Sequence, residues 1–254
     1  MSSLTNKDAI RRHWEQDPCG SKHASAPPGT AEFYAQVEAE RYRLEPFIPA
    51  FARFDETQAK DVLEIGVGVG TDFVNFARNG AHLTGVDLTE ASIELVRARL
   101  ALEGLSADVR TADAESLPFD DASFDVVYSW GVLHHTPETA QAVAEVNRVL
   151  RPGGEARVML YARHSWVAFA LWARYALLAG RPLRPLGWAV ANHMESPGTK
   201  AYTTPELRRL FSGFTDVRLQ RWVTPYDRRV AGPLARAIGP RLGWFAGVTA
   251  VRPA

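Results

Sequence analysis

One cysteine, Cys19, stands in 254 residues. That excludes an intrachain disulfide and any metal site built on several thiolates, and it suits a reducing compartment, with the cytoplasm as the expected location. Net charge is missing as well: Lys and Arg together number 29, and so do Asp and Glu. A neutral chain gives no global electrostatic reason to expect a nucleic acid or an anionic membrane as the main partner. Long apolar runs are also absent. The most apolar stretch, residues 165–179 (SWVAFALWARYALLA), is interrupted by Arg174 and falls short of the roughly 20 residues that a spanning helix needs, so no membrane span is expected. The N-terminal segment MSSLTNKDAIRRHWEQDPCG lacks the apolar core of about 7–15 residues that marks an export signal. No internal repeat or low-complexity tract is found.

The neutral sum hides an asymmetry. From Lys200 onward there are ten Lys and Arg residues against Glu206, Asp216 and Asp227, a net charge of +7, which leaves −7 on the rest of the chain. This basic part admits a phosphate- or carboxylate-bearing ligand, an acidic carrier protein, or simply a solvated face.

What the sequence does contain is 46% apolar residues, ample for a large core, and a regular alternation of patterns. Residues 1–30, with Asp17-Pro18 and Pro27-Pro28-Gly29, read as a short helix over Ile10–Glu15 followed by an irregular arm. Residues 32–54 read as one helix punctuated by Pro46 and Pro49. Short apolar strands are predicted at 62–65, 82–86, 108–111, 124–129 and 155–161, with helices over 71–78, 89–102 and 137–150 between them, the last stopped by Arg151-Pro152-Gly153-Gly154. Strands joined by helical crossovers can pair only in parallel, so an α/β doubly wound sheet with helices on both faces follows. A helix over 204–212 and strands near 217–223 and 244–251 complete the chain.

In the segment VLEIGVGVGTD, Gly66, Gly68 and Gly70 follow the first strand at the edge where ligands of such sheets bind. A glycine-rich turn alone is shared with dinucleotide enzymes. Three carboxylates discriminate: Glu64 inside the first strand, Asp87 at the end of the second, and Asp113 after the third. Acids around a pyrophosphate would repel it. S-adenosylmethionine carries no phosphate; its sulfonium, ammonium, ribose hydroxyls and adenine amine all suit carboxylate acceptors. Asp87 is expected on the ribose with Leu88 against the adenine face, Asp113 on the adenine amine with the Ala114 amide nearby, and Glu64 on the glycine loop and the ammonium end. Each acid has a plainer alternative: Glu64 could cap a helix or pair with an arginine, and Asp87 and Asp113 could be turn residues.

The ordered motifs LEIGVGVG, TGVDL, ADAESLPF, FDVVYSWGVLHHTP and RPGG resemble the class I S-adenosylmethionine-dependent methyltransferases of the small-molecule type, across roughly residues 60–161. The resemblance implies a Rossmann-like, mostly parallel seven-stranded sheet with an antiparallel last strand. It also implies S-adenosylmethionine as methyl donor, with S-adenosylhomocysteine as product. It carries cofactor binding over to Glu64, Gly66, Gly68, Gly70, Asp87 and Asp113, with Val67, Asp72, Leu88, Ala114, Ser129 and Trp130 beside them. The family's commonest loop has cysteine or serine where Val67 stands, a minor departure because the backbone makes the contact.

Methyl transfer from a sulfonium is an in-line displacement, so the protein must mainly align the acceptor and exclude water. His134 and His135, after the fourth strand, are the candidate catalytic bases for an acceptor that must lose a proton, although both could be structural. Tyr161, His164, His193, Glu195 and Tyr202 are further polar candidates. Spacing among His134, His135, His193 and Glu195 has no compact ligand pattern, so no metal is expected.

The expected organisation is an arm and helix covering the active site (1–55), the cofactor-binding core (56–161), a helical lid over the acceptor (162–203), and a C-terminal helix with the last two strands of the core (204–254). Trp166, Phe169, Trp172, Tyr175 and Leu178 make the 162–203 insert apolar nearly all round. That suggests a hydrophobic or aromatic small-molecule acceptor beneath it, with Trp14 and Tyr34 of the arm, or else a homodimer interface or ordinary core. O-methylation is favoured over N- or C-methylation. The alternatives are a donor-binding regulatory or scaffold protein without methyl transfer, and an RNA or protein methyltransferase. The last lacks an appended binding module or aromatic-plus-basic repeats.

Overall fold

In the computed structural model the chain opens with α1 (Ser3–Gln16) and passes through α2 (Ala31–Leu44) and α3 (Ile48–Ala52). The alternation then runs β1 (Asp61–Ile65), α4 (Thr71–Arg78), β2 (His82–Asp87), α5 (Glu90–Glu103), β3 (Asp108–Thr111), β4 (Phe124–Trp130), α6 (Thr139–Val149) and β5 (Leu150–Tyr161). After these come α7 (Trp166–Trp172), α8 (Leu186–His193), α9 (Thr204–Leu210), β6 (Thr215–Trp222), α10 (Pro225–Ala231), α11 (Pro233–Ile238) and β7 (Phe245–Val251). The structure describes residues 3–196 and 198–254, without the side chains of 3–6 and 236; Met1, Ser2 and Pro197, which belong to the expected arm and insert, lie outside the described residues.

Seven strands among the described residues form one sheet in the order β3-β2-β1-β4-β5-β7-β6. β1 to β5 are parallel, and β7 runs antiparallel to both its neighbours. The strand period of two explains the core. Val62, Val126 and Tyr128 face a cluster that includes Phe73 and Phe76 of α4 and Ile93 and Val96 of α5. Leu63, Ile65 and Val127 face the opposite cluster with Val143 and Val146 of α6 and Leu207 of α9. With both faces covered, β1 and β4 are mainly apolar, with Glu64 and Ser129 the buried polar exceptions near their carboxyl ends.

Three expectations are corrected. The N-terminal helix begins at Ser3, well before Ile10, and ends at Gln16, one residue past Glu15. The single helix over 32–54 is two, because Pro46 keeps Glu45 out of the helical region (φ −126°, ψ 60°). The Arg151-Pro152-Gly153-Gly154 stop lies inside β5, which already pairs at Leu150 with Phe124. A register shift between Phe124 and Val126 accommodates it. Residues 225–238, to which the sequence reading assigned no element, hold α10 and α11.

Candidate active site

The carboxyl ends of β1, β2, β3 and β4 open on one cavity of 580 Å³, within the range of about 300–1,000 Å³ that holds small molecules. Its floor is the glycine loop after β1. Gly66, Gly68 and Gly70 all adopt positive φ, at +83°, +52° and +78°. At Gly66 sterics add to the torsional demand, because a Cβ there would lie 2.1 Å from Val132 Cγ2 in the loop after β4. Asp87, at the end of β2, fastens this loop: Oδ2 accepts from the Gly68 N–H at 3.1 Å, while Oδ1 accepts from the Thr89 N–H at 3.0 Å and its hydroxyl at 2.8 Å. A carboxylate offers about four acceptor positions, so some capacity remains. Asp113 accepts from the Glu115 N–H at 2.9 Å and forms an ion pair with Lys7, which reaches across from α1 and also pairs with Glu115.

Behind the loop lies a buried cluster of opposite charges. Glu64 is 3% exposed, and its Oε2 has no hydrogen-bond partner among the described residues. Burial, with the nearby charges of Asp72 and Asp87, holds its carboxyl well above the usual range, only partly offset by Arg41. Asp72 is saturated: it receives Arg41 Nε at 3.2 Å and Nη2 at 2.6 Å, Tyr42 Oη at 3.1 Å and Tyr128 Oη at 2.8 Å. Its carboxylate ties α2 to α4 and β4 and has little left for a ligand. Arg41 thereby stands fixed at the cavity wall. Glu45, accepting from Trp130 Nε1 at 3.0 Å, is pushed up by burial and by Asp72.

The far half of the cavity is aromatic. Trp130 packs at 5.5 Å from Phe51 and 5.6 Å from Trp222. Tyr161 stacks at 4.2 Å on Trp244, and its hydroxyl donates to Glu195 at 2.6 Å. His135 lies on this wall, edge-on to Trp14 of α1 at 5.4 Å. Its Nδ1 is 2.7 Å from Ser196 Oγ and 3.1 Å from Thr199 Oγ1. The Thr199 hydroxyl donates to the Ser196 carbonyl at 2.8 Å, and Ser196 Oγ lies 3.1 Å from Thr199 Oγ1. Every hydrogen finds an acceptor if Nδ1–H donates to Ser196 at its shorter contact, Ser196 to Thr199, and Thr199 to the carbonyl. That chain leaves Nε2 unprotonated as the ring's acceptor. Burial is the main cause that lowers the His135 pKa to about 3, with His13 and Lys200 adding to it, so the ring rests neutral.

Of the expected cofactor-binding and catalytic residues, all stand on the cavity wall except Gly70, Ser129 and His134. Gly70 precedes α4 as its N-cap, and Ser129 donates to the Ile65 carbonyl at 3.0 Å, bracing β4 against β1. The expectation of a proton-transferring His134 is corrected: the ring is fully buried behind Tyr161 at 3.8 Å, with neither nitrogen hydrogen-bonded among the described residues. Tyr34 also lies off the wall, in a separate small core with Phe33 and Val37, its hydroxyl on the Leu95 carbonyl. Among the further candidates, Tyr161 and Glu195 reach the cavity; His193 stacks on Tyr175 and Tyr202 bridges to Ala162. Arg41, Glu45, Lys7, Ser196 and Thr199 escaped the sequence reading, and only the polar face of a helix rich in Glu and Arg hinted at the first two.

Comparison with known proteins adds three findings. A family model described as a methyltransferase domain matches residues 63–158. Over 97 residues the chain is 46% identical to the phthiotriol/phenolphthiotriol dimycocerosates methyltransferase of Mycobacterium tuberculosis, covering 37% of this chain and 35% of that protein. Over another 97-residue match it is 38% identical to the ubiquinone biosynthesis O-methyltransferase of Hahella chejuensis, covering 38% of this chain and 41% of that protein. These matches thus span less than half the length of either relative. An S-adenosylmethionine-dependent methyltransferase from Mesorhizobium loti shares the fold, with a TM-score of 0.61 at 21% identity over 81% of this chain and 97% of that one.

Proposed function

We propose that the chain, whose residues 63–158 match a methyltransferase domain, is an S-adenosylmethionine-dependent enzyme that methylates the hydroxyl of a small hydrophobic or aromatic acceptor. One observation carries the donor half of this reading: a buried carboxylate oxygen of Glu64 has no partner of its own and faces a cavity fastened by Asp87. A bound ammonium would satisfy it and would also offset the buried charge. Arg41, held by Asp72, would take the carboxylate at the same end. Asp87 would use its remaining acceptor capacity on the ribose hydroxyls, and Asp113 would take the adenine amine, with Leu88 and Ala114 against the ring.

S-adenosylmethionine supplies a methyl group on a sulfonium, open to in-line attack. The chain's task is alignment and dryness. Trp130, Tyr161 and Trp244 give the acceptor an apolar slot, and His135 Nε2 gives its hydroxyl an acceptor. As the oxygen–methyl bond forms and the carbon–sulfur bond breaks, the oxygen becomes positive and its proton strongly acidic. Even an imidazole of low basicity then takes that proton.

The test pairs calorimetric titration of S-adenosylmethionine with detection of S-adenosylhomocysteine over hydroxylated aromatic and isoprenoid acceptors. Binding and product formation are expected. Unchanged donor affinity in Asp87→Ala would overturn the donor site, and unchanged turnover in His135→Ala would overturn the hydroxyl chemistry.

A further inference from the structure

Two adjoining elements at the cavity mouth expose side chains that a water-facing surface does not need. α7 continues through a π turn (Ala173–Leu177) into a tip where Leu178 is 82% exposed and Leu183 is 97% exposed. α10 packs against α7; Val230 is exposed near the end of α10, and Leu234 and Ile238 are exposed four residues apart, on one side of α11. Both elements wall the cavity, through Val167 on α7 and Tyr226 on α10.

The charge on this face has one sign. No acidic residue occurs from Arg163 to Met194, and none from Arg228 to Ala254. Arg174, Arg181, Arg184, Arg228, Arg229 and Arg241 are all exposed. The nearest acid on α10, Asp227, is buried at the start of its own helix. Trp172 and Trp188 are half-buried at the base of the tip, with the Trp172 indole N–H donating to the Arg184 carbonyl and the Arg184 guanidinium over the Trp188 ring. Exposed leucines, tryptophans at their base and exposed arginines on the same elements form the composition of a surface that lies in an interface between water and anionic lipid. A solvated face would not carry the leucines, and a protein-binding face would not need so uniform a charge.

We propose that the α7 tip and the α10–α11 face dock this protein on an anionic lipid bilayer, with the cavity mouth turned toward the lipid. The proposal goes beyond methyl transfer and does not rest on it, since docking needs neither donor nor acceptor. Among the described residues no helix is long and apolar enough to cross a membrane, so the attachment is peripheral.

The test is co-sedimentation of the full chain with vesicles of phosphatidylcholine alone and of phosphatidylcholine with phosphatidylglycerol, at low and high salt. Binding is expected to the anionic vesicles only, falling as salt rises. It should weaken by about tenfold or more in Leu178→Ser/Leu183→Ser and in Arg228→Gln/Arg229→Gln. Donor binding by calorimetry should be unchanged in the leucine pair, which shows that the fold is intact. Absence of binding to anionic vesicles overturns the proposal, as does equal binding by the leucine variant. A dimer that dissociates in that variant, without vesicle binding, assigns the face to a second copy of the chain instead.

Discussion

Glu64 shows how one side chain couples ligand binding to pH. Its carboxyl is held protonated beyond the usual range because burial and two neighbouring acids penalise the charge. A ligand ammonium rewards that charge, so binding releases a proton, and donor affinity should climb with pH until Glu64 ionises unaided. Glu64→Gln should weaken donor binding by about 10- to 100-fold, the worth of a charge-assisted hydrogen bond, and abolish the proton release. Calorimetry in buffers of different ionisation enthalpy reads both; unchanged proton release would discard the assignment. Ser196 makes a second residue-scale case. Removing its hydroxyl takes away the partner that orients Nδ1 of His135, so Ser196→Ala should lower kcat by about tenfold at unchanged donor affinity. Ser196→Thr should restore much of it, a split that steady-state kinetics resolves. Glu64, Asp87 and the three glycines were legible beforehand because their chemistry sits in contiguous strand–turn–helix segments. Arg41, Lys7 and Ser196 were not. They meet Asp72, Asp113 and His135 across separations of 31, 106 and 61 residues, and only packing brings them there.

At the scale of elements, the β1–β5 alternation could be read because period and length agree in each segment, whereas α10 and α11 could not. Each is short, and Gly232 separates them at φ +53°. The readable signal was Thr224-Pro225-Tyr226-Asp227, a capping box ahead of α10. Asp227 also joins that helix to the sheet. Its Oδ2 accepts from the Thr224 N–H and hydroxyl at 2.8 Å each and from the Trp244 N–H at 3.0 Å. Asp227→Ala leaves buried N–H groups unpaired at both ends of this junction and should cost about 1–3 kcal/mol. Urea denaturation measures that loss. Because Asp227 is buried at 0% exposure and bonds to Thr224 and Trp244 rather than to the glycine loop, donor affinity should move little, and a matching collapse of donor binding would show that α10 also supports the proposed donor site.

For the whole molecule, His134 makes stability depend on pH. Burial is the first cause that lowers its pKa well below 6.5, followed by His135 and Lys200. The folded protein therefore declines a proton that the unfolded chain accepts. Stability contributed by the neutral ring is full above the unfolded pKa and is lost as pH falls below it. The slope is about 1.4 kcal/mol per pH unit for each proton withheld. His134→Gln removes one such proton, so its stability should fall less steeply than that of the wild type between about pH 6.5 and pH 5. Denaturation midpoints across that interval decide the point: equal slopes would mean that His134 is protonated in the folded state.

The contact between Gly66 and Val132 joins the two halves of the cavity into a single mechanical part. A methyl group added to one loop has nowhere to go except through the other. Reshaping the loop after β4 to fit a different acceptor would therefore also displace the glycine loop on which the proposed donor site is built. Substitutions around Val132 should be screened as trade-offs between the two binding steps rather than as changes to one of them.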